Sequence, residues 1–134
     1  MSILSKVVKT GLVALAFAGA ASVASAAEPG AVSRSPCFFT TQWRGWSSPS
    51  PNVIYLDVGG HKIYRVDVVG GSYRLKSAGN FLVSNVRGSS SICSALDLDL
   101  AVADNHGYYL PLIAQKLTLL TPEEVAAIPR KDRP

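Results

Sequence analysis

Asp97, Asp99, Asp104 and His106 form the densest set of groups in the chain that could carry chemistry. Carboxylate oxygens suit a hard cation, and a histidine nitrogen shifts the preference towards a transition metal. The spacing matches no calcium loop, because the glycine and the closing glutamate fall in the wrong places. Asp97 and Asp99 have a simpler reading as the wet face of a strand. Asp57 and Asp67 are a second pair of carboxylates, suited to acid–base work if they face each other across a hairpin. Arg65 and Lys62 offer them ordinary charge partners instead. His61 and His106 read as solvated turn residues. Ser89, Ser90 and Ser91 follow Gly88, but no G-x-S-x-G elbow is present. The enzymatic alternative is therefore a small hydrolase or metal-dependent enzyme using the aspartates and His106. No coherent catalytic set emerges, and no cofactor is implied.

Binding is better represented than catalysis. Trp43, Arg44 and Trp46 are of the types enriched among interaction hot spots. In one regular strand the two tryptophans would lie on opposite faces, leaving one in the core, unless Gly45 reorients them through a bulge. Tyr108 and Tyr109 carry the same choice between core and surface. The segment Arg87 to Cys93 reads either as a plain connection or as a tethered loop offered to another protein. In the second case Arg87 to Ser91 would suit an inhibitor of an envelope hydrolase.

These residues need elements to hold them. The stretch from Asn52 to Val69 is the clearest: Ile54, Leu56 and Val58, then Tyr64, Val66 and Val68, alternate with their neighbours around Gly59-Gly60. A period of two predicts a β-hairpin with one apolar face. Cys37 to Trp46 reads as a first strand with Phe39 and Trp43 inward, and Ser47 to Pro51 as a connector. Tyr73 to Lys76 reads as a short strand and Phe81 to Arg87 as another. Leu96 to Val102 alternates most cleanly, with Leu96, Leu98, Leu100 and Val102 on one face. Asp104 to Gly107 is a turn. Tyr108 to Leu120 is a broken strand in which Pro111 suggests an edge or a strand start. Thr121-Pro122-Glu123-Glu124 predicts a capped helix running to about Ile128, where Pro129 stops it. The class is mainly β: a small antiparallel sheet or partial barrel with one short C-terminal helix.

The N-terminus reads as a signal peptide over 1–26. Lys6 and Lys9 precede the apolar run Gly11 to Ala20, and Ala24-Ser25-Ala26 offers a cleavage site. That run is too short for a comfortable membrane span, so no stable anchor is expected after cleavage. A flexible lead-in over 27–36, one β-rich domain over 37–129 and a polar tail over 130–134 complete the chain. Without Lys6 and Lys9, 11 basic residues remain against 9 acidic ones, a charge of +2. The charges are interspersed, which is no nucleic-acid footprint. Cys37 and Cys93 are the only cysteines. In an oxidising compartment an even count favours a disulfide, with two buried free thiols as the alternative.

Several stretches, taken as a set, resemble a family of small exported bacterial proteins known only as a domain of unknown function. They are C-F-F-T-T-Q-W-R-G-W at 37–46, V-I-Y-L-D-V at 53–58, Y-R-V-D-V at 64–68, L-V-S-N-V-R-G at 82–88, I-C-S-A-L-D-L-D-L-A-V at 92–102 and L-L-T-P-E-E-V-A-A-I-P at 119–129. The resemblance implies export and a compact β-rich domain, and no activity. It also implies four cysteines in relatives, with two matched by Cys37 and Cys93 and two falling near Ser72 and Leu112. If the missing two pair with each other, Cys37–Cys93 is an intact bridge; if the pairing is crosswise, this chain has two orphan thiols. The leading expectation is an exported, periplasmic or secreted, non-enzymatic module that binds an envelope protein or glycan.

Overall fold

The computed structural model describes residues 36–85 and 88–134. The expected leader, the lead-in up to Ser35, and Val86 and Arg87 lie outside the described residues. In chain order the strands are β1 (Phe38–Phe39), β2 (Trp43–Ser50), β3 (Val53–Val58), β4 (Lys62–Val69), β5 (Asn80–Asn85), β6 (Ser91–Ile92), β7 (Asp99–Asp104) and β8 (Tyr109–Leu119). One short helix, α1 (Pro122–Ala127), follows. Six strands form a nearly closed antiparallel sheet in the order β2-β3-β4-β8-β7-β5. β1 and β6 pair apart from it. The fold is mainly β with a short C-terminal helix, as the alternation predicts.

The β3–β4 hairpin supplies much of the core. Its register runs from Val53↔Asp67 to Val58↔Lys62, and the six apolar residues of its inner face are all buried. The turn is Gly59-Gly60-His61, with φ of 85° at Gly60 and 62° at His61. Glycine takes that left-handed region freely, whereas His61 holds it at a cost of about 1 kcal/mol. At the far end, a β-carbon on Gly71 would overlap the Pro51 carbonyl, which accepts the Ser72 N–H at 2.9 Å. Only glycine lets the exit of β4 pass so close to the β2–β3 turn.

Cys37 and Cys93 are bonded, with Cα atoms 4.1 Å apart. This excludes crosswise pairing for this chain. The bond flanks the β1–β6 ribbon, whose paired residues Phe38 and Ile92 are both buried. The Phe38 ring lies 4.7 Å from that of Tyr64, and the Tyr64 hydroxyl donates to the Pro36 carbonyl at 2.8 Å. Burial pushes the Tyr64 phenol above its ordinary pKa and keeps it a donor.

Several expectations are corrected. Phe38 points inward and Phe39 is 53% exposed, because β1 pairs Phe38 with the buried Ile92 and Phe39 with Ser91. β2 continues through Ser47 to Ser50, which had the composition of a connector. It is an edge strand whose register slips between Ser47 and Ser50, so Pro49 falls where the ladder is already irregular. Tyr73–Lys76 is a 3-10 turn, started by Ser72 Oγ accepting the Arg74 N–H at 3.2 Å. Leu96 is 93% exposed in another 3-10 turn, Ala95–Asp97, and the strand begins only at Asp99. β8 is not an edge strand but lies between β4 and β7, and Pro111 stands near its start, the other position that a proline suggests. Pro111 lies beyond the last β4 pair, Val69↔Ile113, so its missing N–H denies β4 nothing. Within the polar tail over 130–134, Arg130–Asp132 forms a 3-10 turn and the Asp132 carbonyl accepts from Ser47 Oγ.

Candidate functional site

β2 and β5 end the strand order, and the seam between them is where the barrel stays open. The 3-10 turn Tyr73–Lys76 packs against both strands and sends Leu75 into the core. On one side of this plug a slot of about 230 Å³ remains, lined by Trp43, Arg44, Gly45, Trp46 and Leu82. A second hollow of about 390 Å³ shares Trp46 and runs past Ser47 and Ser48 to Lys76, Lys131 and Asp132. The lining of the two hollows sets Arg44, Lys76 and Lys131 against Asp132, so the seam is cationic.

The bulge that Gly45 permits settles where the tryptophans go. Register shifts between Trp43 and Gly45, so Trp43 pairs with Val58 and Trp46 with Leu56. Both indoles therefore meet the inner face, half-buried against the core. Trp43 Nε1 donates to the Gly45 carbonyl at 2.8 Å, which fixes one ring. Arg44, between them, is exposed and lies beside Gly59. A β-carbon on Gly45 would meet nothing within 4 Å. The slot thus has an aromatic floor, a cationic rim, and strand edges that have no partner strand among the described residues. Such an edge is suited to receiving an extended chain.

The tyrosines do not join this site. The Arg74 guanidinium stacks on Tyr108, 3.8 Å from the ring centroid, and reaches Asp104 at 3.5 Å. Tyr109 stands on the outer face of β8, its hydroxyl 2.7 Å from Asn85 Nδ2. The five aromatic and arginine candidates thus fall in three places.

The metal set disperses as well. Asp99 and Asp104 are opposite ends of β7. Asp97 Oδ2 accepts the Cys93 and Ser94 N–H groups at 2.9 and 2.8 Å, which hold its carboxyl below the usual carboxylate range. Asp104 Oδ1 accepts the Tyr108 and His106 N–H groups at 3.0 and 2.8 Å, with the same effect. Both carboxylates are occupied in shaping turns. Asp104 and His106 share a hollow of about 290 Å³ with Arg74, whose positive charge opposes a cation there. Among the described residues no three His, Cys, Asp or Glu side chains gather to hold a metal. Asp57 and Asp67 do not face each other: they pair with Ile63 and Val53, and Arg65 bridges to Asp67 at 2.8 Å. Of the serine loop, the Ser90 carbonyl accepts the Thr40 N–H at 2.9 Å. Arg87 lies outside the described residues.

Sequence reasoning missed Leu82 and Lys76 at the seam, because their place depends on how far the sheet curls. It also missed Asp97 as a cap, although Ser94-x-x-Asp97 is the spacing of a capping box. No family model matches this chain, and no curated protein or solved structure matches it either. Among the described residues, no helix is long and apolar enough to cross a membrane. The disulfide points to an oxidising location outside the cytoplasm.

Proposed function

We propose that this protein is a non-enzymatic binding module of the cell envelope, which holds an extended segment of a partner protein at the β2–β5 seam. The observation that carries the reading is a cationic slot lined by two inward indoles and bounded by strand edges that have no partner strand among the described residues. A glycan would use the indoles and leave those edges unsatisfied, which favours a polypeptide. The cationic rim favours an acidic one. Export through the leader at 1–26, to the periplasm or beyond, belongs to the same proposal, supported by the disulfide and by the resemblance to small exported proteins read from the sequence. The dispersal of Asp97, Asp99, Asp104 and His106 takes away the enzymatic alternative's constellation.

A photoreactive phenylalanine at Arg44, exposed on the lining of the slot, leaves the half-buried residues of β2 in place. In the native host it should form a discrete adduct with an envelope protein, several-fold weaker in a Lys131→Glu background. A probe at Lys116, on β8, three strands away from β2, should form none. Adducts no stronger than those of the Lys116 control would overturn the reading.

A further inference from the structure

The outer face of β5, β7 and β8 is apolar where a solvated sheet face would be polar. Cross-strand rows read Phe81–Ala103–Tyr109, then Val83–Ala101–Pro111, then Asn85–Asp99–Ile113, the last continued on β4 by Val69. The alternate residues Leu82, Leu100, Val102, Leu110 and Leu112 face the core, so both phases of these strands are hydrophobic. Phe81, Tyr109, Ile113 and Val69 are 41%, 50%, 68% and 48% exposed. Pro111 is exposed beside them.

The centre of this face is preorganised. The Tyr109 hydroxyl meets Asn85 Nδ2 at 2.7 Å, yet Asn85 is on β5, Tyr109 on β8, and four rows of register separate them. The tyrosine must therefore lie along the sheet, across β7, and not stand up from it. Ala101 and Ala103 point outward on β7 and are nonetheless 0% and 6% exposed, as residues beneath such a ring would be. Their small side chains are what allow the ring to lie flat. One ring face is thus fixed in advance for contact, at little further cost in side-chain entropy.

We propose that this face is where two copies of the chain meet. Weighted by exposure, its large residues offer about 450 Å² of apolar surface, typical of a functional patch on a monomer. Two such faces together bury about 900 Å², close to the lower limit for a specific interface. That area fits a weak, reversible dimer and not an obligate one. The rows through Ala103 and Ala101 carry no charge, and Asp99 stands only at one end. A patch that must meet itself avoids like-charge juxtaposition in this way. Flat aromatic and aliphatic groups on both sides also suit sheet-on-sheet packing.

Sedimentation equilibrium of the disulfide-bonded protein should show a monomer–dimer midpoint on the order of 100 μM. Ile113→Asp, at an exposed position, should raise that midpoint at least tenfold and leave the thermal midpoint unchanged. Amide resonances of Phe81, Ala101 and Ala103 should shift with protein concentration in the wild type only. A monomer at every concentration up to 1 mM, or a dimer indifferent to Ile113→Asp, overturns the proposal. So does a monomeric sample in which chito-oligosaccharides shift the same resonances, since the face would then belong to a saccharide.

Discussion

Asp97 shows how one carboxylate can be mistaken for a ligand and still be indispensable. Its Oδ2 takes the Cys93 N–H, the Ser94 N–H and the Ser94 hydroxyl, the last at 3.1 Å. These bonds favour the charged form, the backbone donor of Cys93 most of all, so the folded pKa lies below the unfolded value of about 3.9. A group depressed in this way stabilises the fold above its unfolded pKa, and that contribution disappears as pH falls through the folded pKa. Asp97→Asn keeps an acceptor oxygen and loses the charge. It should cost about 1 kcal/mol at pH 7, the scale of a lost cap. The deficit should shrink as pH falls below the unfolded value and close only once pH lies below the depressed folded pKa. Urea midpoints at pH 7 and at successively lower pH test this, and a deficit that stays constant would show that charge is not what Asp97 contributes.

At the scale of elements, α1 compares local signal with tertiary anchor. Thr121 Oγ1 accepts the Glu124 N–H at 3.3 Å and Glu124 Oε2 accepts the Thr121 N–H at 2.8 Å, the reciprocal cap that the sequence predicts. A six-residue helix has no stability of its own in water. What holds it is Ile128, 5% exposed at its C-terminal end. Thr121→Ala should cost about 1 kcal/mol, and Ile128→Ala about 2–4 kcal/mol. Chemical denaturation of the two variants would contradict this ordering if the cap proved the costlier loss. The same contrast explains what was legible beforehand. The β3–β4 hairpin and the helix cap are written in residues within a few positions of one another. Pro111 in an interior strand, Tyr73–Lys76 as a plug and the inward turn of both indoles depend on where a partner strand ends or shifts register. β5 and β8 are apolar in both phases, so alternation alone does not say which side faces water.

The described residues form an unclosed barrel and a small ribbon whose two strands are joined to each other by one covalent bond. β1 and β6 have two residues each, far too few for a sheet that stands alone. Yet Phe38 and Ile92, the residues they contribute, are part of the main core. The Cys37–Cys93 bond joins positions 56 residues apart and locks the two strands of the ribbon to each other, so that Phe38 and Ile92 enter the core as a pair. Closing a loop of that size reduces the freedom of the unfolded chain by about 4 kcal/mol. A domain of this length has a total stability of about 5–15 kcal/mol. Reduction, or replacement of both cysteines by serine, should therefore leave a chain that is still folded at 25 °C but has lost a large share of its resistance to urea. The loss should appear first where the ribbon is held only by its own pairing, in hydrogen exchange of the Thr40 amide, which is bonded to the Ser90 carbonyl. The β3–β4 amides should keep their protection until global unfolding. If reduction lowered stability by less than about 1 kcal/mol, or freed the Thr40 and β4 amides together, the ribbon would be an integral part of the barrel and would not depend on the bond between its two strands.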